Sequence, residues 1–296
     1  MKKIYLLSFL FSGIVLISSC KKDEESSGGS SQIVIDAKQR SLLMDFTATN
    51  CSACGTTGTP TFKKIAATHS DKIIGISFHT AASELSPYYY KGNSDSTVVS
   101  SMFSAMFRSS GIKQNSSGGF NLPSFTLNQK TVAIKEDVIK PMLDANYIKT
   151  PLAGIGLRVI RTSNGVNITP KVKFFDVADG EYFLSLYFIE DNIHHRQYTN
   201  FGYKENYEHE HVLRGSAIGT RMQPVTFGTA INTAPIFKNQ EFMMGKIVYT
   251  HDARKPNSSS SLNNWSWNPQ RTSVAAIIWK KDGKAYQFIN GTTVKL

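Results

Sequence analysis

The sequence contains little cysteine, with only Cys20, Cys51 and Cys54 among its 296 residues. A scaffold of several disulfides is therefore excluded. A structural zinc site is disfavoured as well, since one C-x-x-C pair has no second pair to complete a ligand set. If Cys20 is otherwise used, Cys51 and Cys54 form one closed pair without a third thiol, which suits an oxidising compartment.

Concentrated positive charge is also missing. The formal net charge is +11, but the Lys and Arg residues are scattered along the chain. Nucleic-acid binding is disfavoured because the sequence has neither an Arg-rich arm nor a stretch that interleaves basic and aromatic residues. We expect no nucleic-acid partner and no cofactor.

A long apolar run is likewise lacking. Ile4–Ile17 is too short to span a bilayer, which takes about 20 apolar residues. With Lys2 and Lys3 in front, this run predicts a signal peptide over residues 1–19. Leu16-Ile-Ser-Ser-Cys20 resembles the bacterial lipobox, with Ile17 where leucine is usual. The resemblance implies fatty acyl chains, palmitate among them, on Cys20.

Residues 20–32 predict a flexible tether, because a charged run and a Gly/Ser tract cannot bury a core. Lys22-Asp23-Glu24 resembles the signal that sends some Bacteroidetes lipoproteins to the outer face of the outer membrane. A solvated linker is the alternative. We expect a protein that is lipid-anchored in the outer membrane, with exposure on the cell surface left open.

The folded part divides by pattern at about residue 150. Over residues 33–150, apolar strand-like runs alternate with helical spacing, which predicts an α/β domain with an inserted segment at about 81–119. Over residues 151–296, short alternating segments separated by turns predict an all-β, antiparallel sandwich-like domain.

The C-x-x-C pair lies between a predicted buried strand, Leu42–Phe46, and a predicted helix, 61–68. Cys51 would then stand at a helix N-terminus, where the helix dipole and free N–H groups favour the thiolate. Cys54, one turn further on, would be the resolving thiol. A structural disulfide remains the alternative interpretation.

The surrounding residues resemble thioredoxin-fold proteins. Asp45, Phe46 and Ala48 together with Cys51 and Cys54 match the pattern Asp-Phe-x-Ala-x-x-Cys-x-x-Cys. The resemblance implies a thioredoxin-like domain in which Asp45 is buried behind the cysteines and assists proton transfer.

Pro123, which precedes the predicted strand Ser124–Leu127, matches the position of the cis-proline of that fold. The resemblance implies that Pro123 packs on the disulfide. Asn50, in place of tryptophan, and the turn Gly55–Gly58, which is poor in helix formers, depart from the family pattern.

Histidines offer further candidates. His79, at the end of a predicted strand, would either line the cleft beside Cys51 or be a satisfied strand-end histidine. On a strand, His209 and His211 would point the same way, and with His194 and His195 they raise the question of a zinc or copper site. A solvated polar strand face explains the pattern equally, and no metal site is predicted.

The wider pattern resembles the twenty-eight-kilodalton outer-membrane protein family of Bacteroidetes. The matching segments are 41–54, 74–79, 188–193 and 210–214. This resemblance implies an outer-membrane lipoprotein with a thioredoxin-like domain followed by a β-domain. Two functions remain open: thiol–disulfide exchange with thiol- or disulfide-bearing proteins, and non-catalytic surface binding or adhesion in which Cys51–Cys54 is a structural disulfide.

Overall fold

The computed structural model describes residues 32–80, 96–112, 114, 116, 119–163, 165–219, 225–232, 235–250 and 268–296. The predicted signal peptide, Cys20, nearly all of the tether and residues 81–95 of the inserted segment lie outside these residues. Within them, no helix is both long and apolar enough to cross a membrane.

The described chain is mostly β-structure. Its elements are β1 Ser41–Thr47, α1 Thr59–Thr68, β2 Ile73–His79, α2 Ser96–Ser109, β3 Ser124–Leu127, β4 Lys130–Val132, α3 Glu136–Tyr147, β5 Ala153–Thr162, β6 Gly165–Phe174, β7 Tyr182–Glu190, β8 Ile193–Thr199, β9 Gly202–His209, β10 Val212–Ser216, β11 Thr229–Ala230, β12 Glu241–Met243, β13 Ile247–Thr250, β14 Thr272–Asp282 and β15 Ala285–Lys295.

One large mixed sheet organises these elements, in the order β15-β14-β7-β10-β2-β1-β3-β4, with β11 on β7. The pairs β1–β2 and β2–β10 are parallel, and the other pairs are antiparallel. A second sheet is built on β6, which pairs with β5, β12 and β13. The hairpin β8–β9 forms a separate two-stranded sheet.

Both faces of the large sheet are covered, which explains the continuous apolar runs of β1 and β2. On β1, Leu42, Met44 and Phe46 pack against α2, and the same cluster extends to Ile277 and Trp279 of β14. The opposite face, which includes Leu43, packs on α1 and α3. Further along the sheet, β7 and β14 pack instead on the second sheet. The sequence pattern predicts a helix at about residues 97–108, within the inserted segment. The structure has α2 there, and this helix is part of the core.

The predicted all-β character of the second half agrees with the mostly-β structure. Apart from the hairpin β8–β9, its strands belong to two sheets that pack face to face. One of these sheets continues into the first half, because Val212 of β10 pairs with Ser77 of β2. Residues Ile33–Leu296 form one compact unit. The division at residue 150 into two domains stays a prediction.

The sequence pattern and the structure differ at three elements. The apolar run Ile33–Ile35 predicts a strand, but the structure has none there. This segment runs over β5, where two glycines make room for it: a Cβ at Gly154 would lie 2.2 Å from the carbonyl oxygen of Asp36, and a Cβ at Gly156 would lie 2.2 Å from that of Val34. The alternating pattern of Phe242–Tyr249 predicts a single strand, whereas the structure divides this segment between β12 and β13. The hairpin β8–β9 was missed.

Candidate redox site

The two cysteines of the C-x-x-C pair are joined by a disulfide. The S–S distance is 2.11 Å and the Cα atoms lie 5.2 Å apart. Cys54 is completely buried, whereas Cys51 is partly exposed. Of the two cysteines, Cys51 is therefore the one that a partner molecule can approach.

The disulfide lies at the start of a helix, as the sequence predicted. Ser52 and Ala53 are already helical, Cys54–Gly58 forms a π-helical turn, and α1 follows directly. The N–H of Cys54 donates a hydrogen bond to Sγ of Cys51 at 3.1 Å. In the reduced protein, an N–H in this position together with the helix dipole would stabilise a thiolate on Cys51.

Asp45 is buried directly upstream of this helix. It lies on the same face of β1 as Leu43, the face covered by α1 and α3. Among the described residues, neither carboxyl oxygen has a hydrogen-bond partner. Burial raises the pKa of Asp45 to about 8, so the group carries a proton at neutral pH. The nearby phenol of Tyr207 has its pKa raised to about 12, first by its own burial and then by the charge of Asp45.

Pro123 is preceded by a cis peptide bond, Leu122–Pro123. The proline ring packs on the π-helical turn, because a Cβ added at Gly58 would lie 2.7 Å from Cβ of Pro123. Gly58 therefore permits the close contact between this turn and the proline. The sequence pattern treated the same glycine only as a weak point of the helix.

The hairpin β8–β9 lies on the loop that carries the disulfide, and sequence reasoning missed this part of the site. The N–H of Tyr198 donates to the carbonyl of Thr49 at 2.7 Å, and the N–H of Asn200 donates to Oγ1 of Thr56 at 2.9 Å. The hydroxyl of Tyr207 donates to the carbonyl of Gly55 at 3.1 Å. The signal that the sequence offered for this hairpin was the segment Asn200-Phe201-Gly202, which is typical of a turn. In the structure Gly202 has a φ of +95°.

His79 is buried beneath this hairpin. It is 4% exposed, and its ring centroid lies 5.5 Å from that of His209. Burial lowers the pKa of His79 well below its usual range, and the charges of His209, Arg214 and His195 lower it further. The imidazole is therefore neutral at physiological pH. A role for His79 in tuning Cys51 stays a prediction.

The expectation that His209 and His211 point the same way was wrong. β9 ends at His209, and His211 lies beyond it with a φ of +53°, which breaks the alternation of a strand. The ring of His209 contacts His79, whereas the ring of His211 packs on Phe62 of α1.

The other two candidate histidines lie on β8, where His194 is exposed and His195 is half-buried. The ring nitrogens of His194 hydrogen-bond to the side chains of Asn192 and Asn206, and Nδ1 of His195 lies 3.1 Å from the carbonyl of Arg196. Within the described ranges, no group of three or more His, Cys, Asp or Glu side chains is arranged to hold a metal ion.

Comparison with known proteins gives one structural likeness. The chain matches no model of a known protein family and no curated protein. Among solved structures it resembles HBP35 of Porphyromonas gingivalis, with a TM-score of 0.61 and 18% sequence identity, over 88% of this chain and 76% of that one. At this identity the likeness shows a related fold alone. Membership of the twenty-eight-kilodalton family stays a prediction.

Proposed function

We propose that this protein is a lipid-anchored thiol–disulfide oxidoreductase whose thioredoxin-like first half carries Cys51 and Cys54 as its redox pair. One observation carries the proposal: the sulfur of Cys51, the partly exposed cysteine of the pair, accepts a hydrogen bond from the N–H of Cys54 at the start of a helix. This is the environment that lowers a thiol pKa. The buried acid Asp45 and the ring of Pro123, which packs on the turn after Cys54, support the proposal.

The proposed order of steps follows from the difference in burial between the two cysteines: Cys51 is partly exposed, and Cys54 is buried. A thiolate of the partner protein attacks Sγ of Cys51, a new S–S bond forms, and the Cys51–Cys54 bond breaks with its electron pair on Cys54. Asp45, protonated at neutral pH, is the group we propose to deliver a proton to this leaving sulfur. A second thiolate of the partner then attacks the partner sulfur of this mixed disulfide, which breaks its bond to Cys51, releases Cys51 as a thiolate and leaves the partner dithiol oxidised to a disulfide. The reverse sequence, which starts from the reduced protein, reduces a partner disulfide.

Thiol exchange by the purified protein tests this proposal. We expect the wild type to exchange with a small dithiol and with glutathione disulfide, and Cys51→Ser to lose the activity, because the attacked sulfur is gone. Cys54→Ser is the matched control: it should trap a stable mixed disulfide on Cys51. An inert wild type with a reduction potential below about −300 mV would instead identify a structural disulfide.

The alternative is a non-catalytic surface-binding or adhesion lipoprotein in which Cys51–Cys54 is structural. The observation in its favour is that the hairpin β8–β9 holds the disulfide loop through several hydrogen bonds. Under this alternative, Cys51→Ser lowers the free energy of unfolding but leaves binding to a partner unchanged. The exchange assay and a urea titration of the same variant separate the two functions.

The proposed location is the outer membrane, reached through fatty acyl chains on Cys20. The lipobox-like segment 16–20 and the apolar run before it support this location. We expect cells that express the wild type to incorporate labelled palmitate into the protein, and cells that express Cys20→Ala not to do so. Equal labelling of both would contradict acylation at Cys20.

A further inference from the structure

The side chain of Gln197 reaches from β8 into the disulfide loop. It is completely buried, and its Nε2 lies 3.2 Å from the carbonyl oxygen of Ala48 and 3.1 Å from that of Cys51. A third carbonyl, that of Tyr198, lies 3.0 Å away. The two N–H groups of the amide are thus shared among three acceptors, two of which belong to the loop.

One of the two loop carbonyls, that of Ala48, lies three residues before Cys51, and the other is the carbonyl of Cys51 itself. The carbonyl of Ala48 also accepts the N–H of Cys51 at 3.3 Å, and the carbonyl of Cys51 also accepts the N–H of Gly55 at 3.2 Å. Because the amide of Gln197 holds both carbonyls at once, it fixes the backbone dihedral angles of Cys51. Those angles set the direction of the Cα–Cβ bond, and with it the placement of Sγ against the N–H of Cys54.

The rest of the hairpin has attachments of its own. The N–H groups of Tyr198 and Asn200 hydrogen-bond to Thr49 and Thr56. At the other end of the hairpin, Glu208 forms an ion pair with Lys63 of α1. Loss of the Gln197 amide therefore leaves the hairpin in place. Each loop carbonyl also keeps its backbone donor, so that neither becomes a buried acceptor without a partner.

We propose that Gln197 is a positioning residue for thiol–disulfide exchange, and that it holds the backbone of Cys51 so that Sγ stays aligned with the N–H of Cys54. The inference rests on the proposed function and deepens it. It gives the hairpin β8–β9, which belongs to the second half of the sequence, a role in the reactivity of Cys51, which belongs to the first half.

The test compares the full-length protein with Gln197→Met, which keeps the size of the side chain but removes its donors. After chemical reduction, the rate of alkylation of Cys51 by iodoacetamide is followed against pH. We expect the rate at pH 7 to fall about three- to tenfold and the pKa of Cys51 to rise, because the thiolate loses its aligned donor. Gln197→Asn withdraws the amide by one methylene group and should act in the same direction, which keeps the test valid if the first variant folds poorly.

Lys63→Met is the matched control, since it weakens the attachment of the hairpin at α1 without touching the loop. We expect this variant to alkylate and exchange like the wild type. The inference is overturned if folded Gln197→Met and Gln197→Asn keep the wild-type pKa of Cys51. It is also overturned if Lys63→Met shifts that pKa equally, since general loosening of the hairpin would then explain the effect.

The proposed function is tested separately by the exchange rate of the wild type. An inert wild type would contradict the exchange function itself. The alkylation profile of the reduced variants would still decide whether Gln197 positions Cys51.

Discussion

The carboxyl group of Asp45 shows, at the scale of a single residue, how burial sets chemistry. It is fully buried without a hydrogen-bond partner among the described residues, and burial raises its pKa to about 8. The unfolded chain has a pKa of about 4 at this position. Between these values the folded protein binds a proton that the unfolded chain has lost. This group therefore makes the folded protein less stable as the pH rises from about 4 to 8.

We expect Asp45→Asn to remove this part of the pH dependence, because the amide does not ionise. Between pH 5 and pH 8, the free energy of unfolding of the variant should improve relative to the wild type by about 3 kcal/mol. Urea titrations of both oxidised proteins across this range measure the difference. Parallel pH profiles would show that the folded protein does not hold the Asp45 proton.

At the scale of elements, the contact between the hairpin β8–β9 and the disulfide loop requires a glycine at position 55, which has no side chain. A Cβ at Gly55 would lie 2.3 Å from the carbonyl oxygen of Tyr198 and 2.6 Å from Cγ of Gln197. The sequence pattern treated Gly55 as a departure from a good helical turn. The structure explains why glycine stands at this position: the backbone of β8 occupies the space that a side chain of residue 55 would need.

We expect Gly55→Ala to displace the hairpin and to lower the free energy of unfolding by about 1–3 kcal/mol, because the clash is with backbone. Gly245→Ala is the matched control, since a Cβ there meets no atom within 4 Å. Urea titration of the two variants measures the difference. An equal, small effect for both would mean that β8 does not press on Gly55.

At the scale of the whole molecule, the large sheet joins the two halves of the sequence. β2, from the first half, has β1 on one side and β10, from the second half, on the other. The apolar cluster beneath α2 likewise contains Phe46 and Trp279. Separation of the halves would expose an edge of a central strand and part of this core.

We therefore expect residues 33–296 to unfold in one cooperative transition, with far-ultraviolet circular dichroism and tryptophan fluorescence changing together in urea. A fragment of residues 33–150 should not fold by itself, because the edge of β2 would be unpaired. Two resolved transitions, or a folded fragment, would instead support the predicted division at residue 150.

The sequence by itself determined the local frame of the site. The apolar run of β1, the helical spacing after it and the two cysteines between them follow from neighbouring residues, because strand and helix periodicities are properties of short segments. The same local periodicity predicted the strand Ser124–Leu127, which is β3, and it indicated the β-rich second half.

Only the tertiary structure decided what surrounds that frame. Gln197 reaches the carbonyl of Cys51 across 146 positions of sequence, and no periodicity records a contact of that kind. Other features also depend on contacts between distant segments. β2 pairs with β10, His209 contacts His79 while His211 packs on Phe62, and β8 lies against Gly55. Such contacts depend on how whole elements pack, so a single sequence provides the residues but not their partners.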